Sequence, residues 1–299
     1  MRAREEWAFR EFVEVRMAGL RRSAPGAAGE PALDAAHLLR LASQHVAAAP
    51  VVAARPDQYA FVELVDTPLQ AHWQRNTSTG EDVGRIGAAE PMRFQEWHSV
   101  DGTHDGMVRS RPYASPDAKW DTQPQPGCRN GRWAPAPDRP DHTEACTPRP
   151  VLLPDLPTDP DAMLKYLYRA PTDDWQAELS ADQLAFGRIS TVVNGSLNSP
   201  AVLTAVYRAA ERIPGVTVDR DAVDVTGRHG VALVRTADHH RTELIFDRTT
   251  YAYLGANLVV VDAYSVRGKA VVIDNQPGDV RDRSAVLRVA VVDRVGQLP

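Results

Sequence analysis

Lysine is nearly missing from this 299-residue chain. Only three of its 34 basic side chains are lysines (Lys119, Lys165, Lys269), which points to a GC-rich coding background rather than to an activity. Cysteine is scarcer still: Cys128 and Cys146 are the only two, which excludes a disulfide-dense scaffold. An excess of positive charge is absent as well. The 34 basic and 39 acidic groups leave a net charge of −5, a field that repels polyanions, so no direct nucleic-acid binding is expected. No stretch approaches the run of ~20 apolar residues that a membrane helix needs, and the amino terminus lacks the basic, apolar, small-residue order of a signal peptide. As written, the chain reads as soluble, without a transmembrane span. Catalytic signatures are missing too: there is no Gly-x-Ser-x-Gly elbow, Walker loop, GxGxxG or HExxH. No motif calls for a cofactor or a metal, and no residue is assigned a catalytic role.

What is present is an ordinary globular composition, 43% hydrophobic and 24% charged, in a chain long enough to bury roughly three quarters of its unfolded surface. Its prolines are uneven. Eleven of the 23 fall between Pro112 and Pro157, a density that sustains neither a helix nor a central strand, so residues 111–157 read as a long irregular excursion. Both cysteines lie inside it. A disulfide between them would stabilise the segment by roughly 3 kcal/mol in the chain-entropy model. Two unpaired thiols, or a zinc site of Cys128, His142 and Cys146 without CxxC spacing, are the alternatives.

Residues 5–22 have a helical stripe of Phe9, Phe12, Val13, Met17 and Leu20, and a second helix is expected from about Asp34 to Ala48 with Leu38, Leu41 and Val46 inward. Residues 1–30 therefore read as a helix and linker, and 31–299 as a single domain. Residues 58–65 are rich in aromatic and β-branched side chains and read as a strand. Two extended runs around Asp101-Gly102 predict a tight hairpin over 93–109. Thr158-Asp159-Pro160-Asp161, Ser180 and Ser199-Pro200 each predict a helix start. From Val216 onward the period becomes extended, with short strands and short connections that imply an antiparallel meander. Asp247, followed by Thr249 and Thr250, is placed in a turn that its carboxylate stabilises. The fold class expected is α+β: a curved, half-barrel-like antiparallel sheet packed by helices.

Candidate chemistry is thin. His98 and His104 flank the hairpin turn, where a metal or general-base role would require them to converge. His239 and His240 sit at an expected turn and would point to opposite faces if extended, which argues against a shared metal. Asp159, Asp161, Asp173 and Asp174 are explained by caps and turns. Trp73, Trp97, Trp120 and Trp133 with Tyr113 are the aromatic residues available to line an apolar pocket.

The stretch from Tyr59 through WHSVDGTHDGMVRS, LPDLPTDPDAMLKYLYR and the tail from AAERIPGVTVDRDAVDVTGRHGVALVRT to SAVLRVAVVDRVGQLP resembles an uncharacterised actinobacterial family over about 33–299. That resemblance implies a membrane-anchored protein with an extracytoplasmic domain, encoded beside extracytoplasmic-function sigma factors. The meander with its Asp247 to Thr250 phrase is more distantly similar to lipoprotein-carrier and sigma-regulator domains, whose curved sheet half-encloses an apolar cavity. Residues 6–24 resemble the opening helix of an extracytoplasmic-function sigma factor, without the rest of that protein. The family places the chain outside the cytoplasm, whereas the chain as written carries no leader or span. The resemblance implies a non-enzymatic sensor or regulatory domain of sigma-factor signalling, holding a lipid or other apolar ligand in a sheet concavity lined by Tyr59, Phe61, Trp97, Leu244 and Phe246. A protein-interaction module that contacts a sigma factor or RNA polymerase through Phe9, Phe12, Val13 and Leu20 is the first alternative. A hydrolase with a site assembled from distant residues is the second.

Overall fold

A computed structural model of the chain describes residues 33–51, 53–133, 143–151, 156–171, 179–194, 197–267 and 271–299. The sigma-like helix, with Phe9, Phe12, Val13 and Leu20, lies outside the described residues, as does His142.

Each described helix begins at a short polar side chain that satisfies an otherwise orphaned amide. In α1 (Ala35–Ala48) the Asp34 carboxylate accepts from the His37 amide at 2.7 Å. Helix α2 (Pro160–Leu167) is capped by Asp159, which accepts from Ala162 at 2.9 Å. The cap is thus one residue later than the expected Thr158, because Pro160 with its preset φ takes the first helical position. Ser180 opens α3 (Ala181–Val193) and Ser199 opens α4 (Pro200–Ala210), as the sequence implies. The buried stripes of these helices, including Leu38, Met163, Phe186, Ile189 and Val206, share one cluster with Val231, Leu233, Leu244, Phe246 and Ala256 from the sheet.

The large sheet has nine strands, all paired antiparallel. In chain order they are β1 (Tyr59–Asp66), β4 (Met92–Ser99), β5 (Gly106–Pro112), β6 (Asp121–Gln125), β9 (Thr217–Val223), β10 (His229–Ala237), β11 (His240–Phe246), β12 (Tyr253–Val260) and β15 (Val280–Val292). Their spatial order is β6-β5-β4-β1-β15-β12-β11-β10-β9. Two meanders, β4 to β6 and β9 to β12, flank a central seam where β1 pairs with β15. The fold class read from the sequence is the one observed: a large antiparallel sheet with helices against one face. The expected strands at 216–225 and at 251–264 merge into β9 and β12 respectively.

A smaller sheet, β13-β14-β3-β2, is built from β2 (Leu69–Arg75), β3 (Asp82–Ala88), β13 (Tyr264–Arg267) and β14 (Val271–Asn275). Here β14 runs parallel to β3, so the tail is not antiparallel throughout. The 111–157 excursion also contains more order than its prolines suggest. Its β6 is an edge strand of the large sheet, where Pro124 lacks a donor without breaking an interior ladder. Within the excursion, β7 (Cys128–Arg129) pairs with β8 (Arg132–Trp133), and a disulfide joins Cys128 to Cys146.

The 93–109 hairpin exists, but its turn is not tight. The last paired residues are Trp97 and Met107, and the Asp101 carboxylate organises the loop by accepting from Ser99 Oγ and the Thr103 amide. Gly102, at φ +75°, is where the loop meets the excursion: a Cβ there would lie 2.5 Å from the Arg149 nitrogen.

Candidate functional site

Strand register decides which side chains meet, because directly opposed residues share a face and successive residues alternate. Leu244 is opposite Ala256, Ala256 opposite Ser284, Ser284 opposite Asp66 and Asp66 opposite Met92. This row faces the helices. Steps of two along β1 and β4 place Leu64, Val62, Phe94, Glu96 and His98 on the same face. Phe61 and Trp97 oppose each other on the other face, with Tyr59 two residues along. The five residues expected to line one apolar concavity are therefore divided between the two faces.

None of the five lines the cleft described below, and four of them are fully buried. Leu244 and Phe246 are fully buried under the helices, with the Phe246 ring 5.8 Å from Tyr207. Phe61 and Trp97 are also fully buried, with ring centroids 5.1 Å apart, and the Trp97 indole donates to the Gln297 carbonyl at 2.7 Å. The chain's last residues cover them. Of the wider aromatic set, Trp73 is 50% exposed on β2, while Trp97 and Trp120 both stack with Arg109, and Trp120 with Arg111 as well, so they hold a guanidinium rather than line an apolar pocket. The disulfide removes the free-thiol reading of Cys128 and Cys146 and their reading as zinc ligands. No cluster of three metal-ligating side chains occurs among the described residues.

His98 and His104 do not meet. His104 Nδ1 lies 3.2 Å from Asp101 within its own loop. His98 Nε2 is 2.7 Å from Glu96 Oε2, and this pair lines a cleft of about 260 Å³ on the helix-facing side of β1 and β4. The helices cover β10 to β12 and leave this part of the face open. Val62 and Leu64 form its floor, Arg149 and Val151 its rim, and Asn194 its far wall. Chain geometry explains why such distant residues converge. The Val151 amide donates to the Val100 carbonyl at 3.2 Å, Cys128 donates to Gly102 at 3.0 Å, and the disulfide secures the returning segment of the excursion. Asn194 ends α3, its amide donating to Ser190 at 2.7 Å while its side-chain Oδ1 is buried with no hydrogen-bond partner.

Further along the same face, two acids meet across the β1 and β15 seam. The Asp66 and Asp282 carboxyls hydrogen-bond each other, and burial raises both, with Asp282 pushed up to about 7. The neighbouring negative charge reinforces burial at Asp282, and Glu96 adds to it at Asp66. Tyr253 Oη and Ser284 Oγ are buried nearby in the sheet without hydrogen bonds, and burial raises Tyr253 well above an ordinary phenol.

The sequence singled out His98 but missed its partner. The Glu-x-His spacing was the available signal, since residues two apart on a strand share a face. Arg149, Asn194 and the acid pair carried no comparable signal, because only long-range register and the disulfide bring them in. The cleft offers a cation, a carboxylate held by an imidazole and an apolar floor. This arrangement suits a small polar molecule better than a long acyl chain. No helix among the described residues is long and apolar enough to cross a membrane. No family model matches this chain, and no curated protein matches it.

Proposed function

We propose that this chain is a non-enzymatic sensor domain serving sigma-factor regulation, and that it receives its ligand in the cleft between β1, β4 and the disulfide-held segment. The observation that carries the reading is the cleft's composition from separate elements. Arg149 belongs to the pinned excursion, Asn194 to the end of α3, and Glu96 with His98 to the sheet. A ligand touching all three ties the excursion to the helix layer, and its differential affinity for that tied state shifts the population. The disulfide agrees with the oxidising, extracytoplasmic setting that the resemblance implies. The apolar ligand first expected in a sheet concavity is replaced here by one that also uses polar groups.

The test is a thermal-shift screen of the full chain against small metabolites and fatty acids, followed by co-purification of its partners with and without residues 1–24. A concentration-dependent rise in Tm that is lost in Arg149→Gln, together with recovery of a sigma or anti-sigma protein, supports the reading. No stabilising molecule, and no such partner, overturns it.

One observation favours a second reading, a hydrolase. His98 is oriented by a carboxylate in a cleft that also holds Arg149, an arrangement in which an imidazole activates water. Hydrolysis of p-nitrophenyl acetate that disappears in His98→Ala and persists in Arg75→Gln would favour this reading over the sensor.

A further inference from the structure

The cleft's polar groups specify what they lack. Arg149 stands exposed at the rim with no hydrogen bond or ion pair to another described residue, and its planar fork matches a carboxylate. Asn194 lines the cleft as well, but its Oδ1 is closed to the surface, so the polar groups open to a ligand are those of Arg149, Glu96 and His98. Glu96 commits Oε2 to His98 and leaves Oε1 to accept. Val62 and Leu64 line the same cleft.

Resting on the reading of this cleft as a ligand site, we propose that it binds a small zwitterion of the α-amino-acid class. The carboxylate pairs with Arg149, the ammonium donates to Glu96 Oε1, and a short side chain covers Val62 and Leu64. Other chemistries leave something unmet. A fatty acid supplies Arg149 with an anion but sets methylenes against the Glu96 carboxylate, and a polar group shielded from water without a partner is costly. A dicarboxylate brings a second negative charge against Glu96. A simple amine leaves Arg149 unused. Size points the same way, since about 260 Å³ is below the ~300–1,000 Å³ of pockets that enclose drug-sized ligands.

Isothermal titration calorimetry on the full chain tests this with L-alanine, L-serine and L-valine as probes, and with propionate, ethylamine and palmitate as single-feature controls. At least one amino acid is expected to bind saturably and at least tenfold more tightly than propionate or ethylamine. Arg149→Gln and Glu96→Gln should each weaken it tenfold or more, while Arg75→Gln on the distant β2 leaves it unchanged. Circular dichroism checks that each variant is folded, and Arg149 is exposed, so its replacement disturbs no core. Absence of saturable binding by all three amino acids, or binding indifferent to both cleft variants, overturns the proposal. If propionate or palmitate binds instead and Arg149→Gln abolishes that binding, the ligand class is wrong while the cleft remains a ligand site. If no probe binds at all, both readings fail.

Discussion

Replacing Asp282 with asparagine should make the protein more stable at neutral pH, and the acid pair sets the size of the effect. In the native state Asp282 holds its proton up to about pH 7, whereas an unfolded aspartate releases it near 3.8. Between those values the native state binds more protons than the unfolded one, so stability falls as pH rises, and it levels off above about 7. At about 1.4 kcal/mol per pKa unit the full interval sets a ceiling of about 4 kcal/mol. Partial solvent access and relaxation reduce the expected gain to about 1–3 kcal/mol. The replacement amide has no charge to bury and still offers Asp66 a hydrogen-bond donor. Urea unfolding from pH 4.5 to 8.5 should show wild-type stability declining to neutrality, a flatter profile for Asp282→Asn, and the largest difference at the alkaline end. A wild-type profile flat across this range, or a variant less stable than wild type at pH 8, would refute the idea of a shared proton at the seam.

The remaining tests separate core from cleft. Phe246→Ala should cost about 3–5 kcal/mol in urea unfolding, as removal of a fully buried aromatic does, and a loss under 1 kcal/mol would show that this ring does not anchor the helix layer. Cys128→Ser with Cys146→Ser should lower stability by roughly 3 kcal/mol at most, the loop-closure term for a separation of 18 residues. Amide exchange in 143–151 should then quicken more than in β10, and equal protection in both forms would mean that hydrogen bonds alone hold the cleft's rim.

Much of the local structure was legible because it is encoded over a few residues. Ser180 and Ser199 cap their helices, accepting from Gln183 at 3.4 Å and Val202 at 3.3 Å. Asp247 accepts from the amides of Thr249 and Thr250, which hold its carboxyl below the usual range. The turn at Asp238 and His239, both with positive φ, joins β10 to β11 where the histidine pair suggests it. What failed was the allocation of faces. Period-two alternation says that Phe61 and Glu63 point together, but not that they point away from Leu244 three strands over. That relation depends on a chain of registers interrupted by bulges at Glu63/Leu64 and at Ile245/Phe246. Proline counting misled in the opposite direction, since an edge strand tolerates Pro124. The exposed β2, with no buried residue, carried no core signal to read.

The seam has a consequence for how the molecule comes into being. Tyr59 faces Val292, so the middle of the sheet joins segments more than two hundred residues apart along the chain. Contacts that distant must close a long loop before they are rewarded, which slows folding. A polypeptide emerging from its ribosome or translocation channel exposes two unfinished half-sheets until its last strand arrives. The edges of β1 and β12 are bare during that interval, and unpaired edges recruit other chains. Shortening the chain by only the final strand should therefore yield aggregates rather than a smaller folded domain.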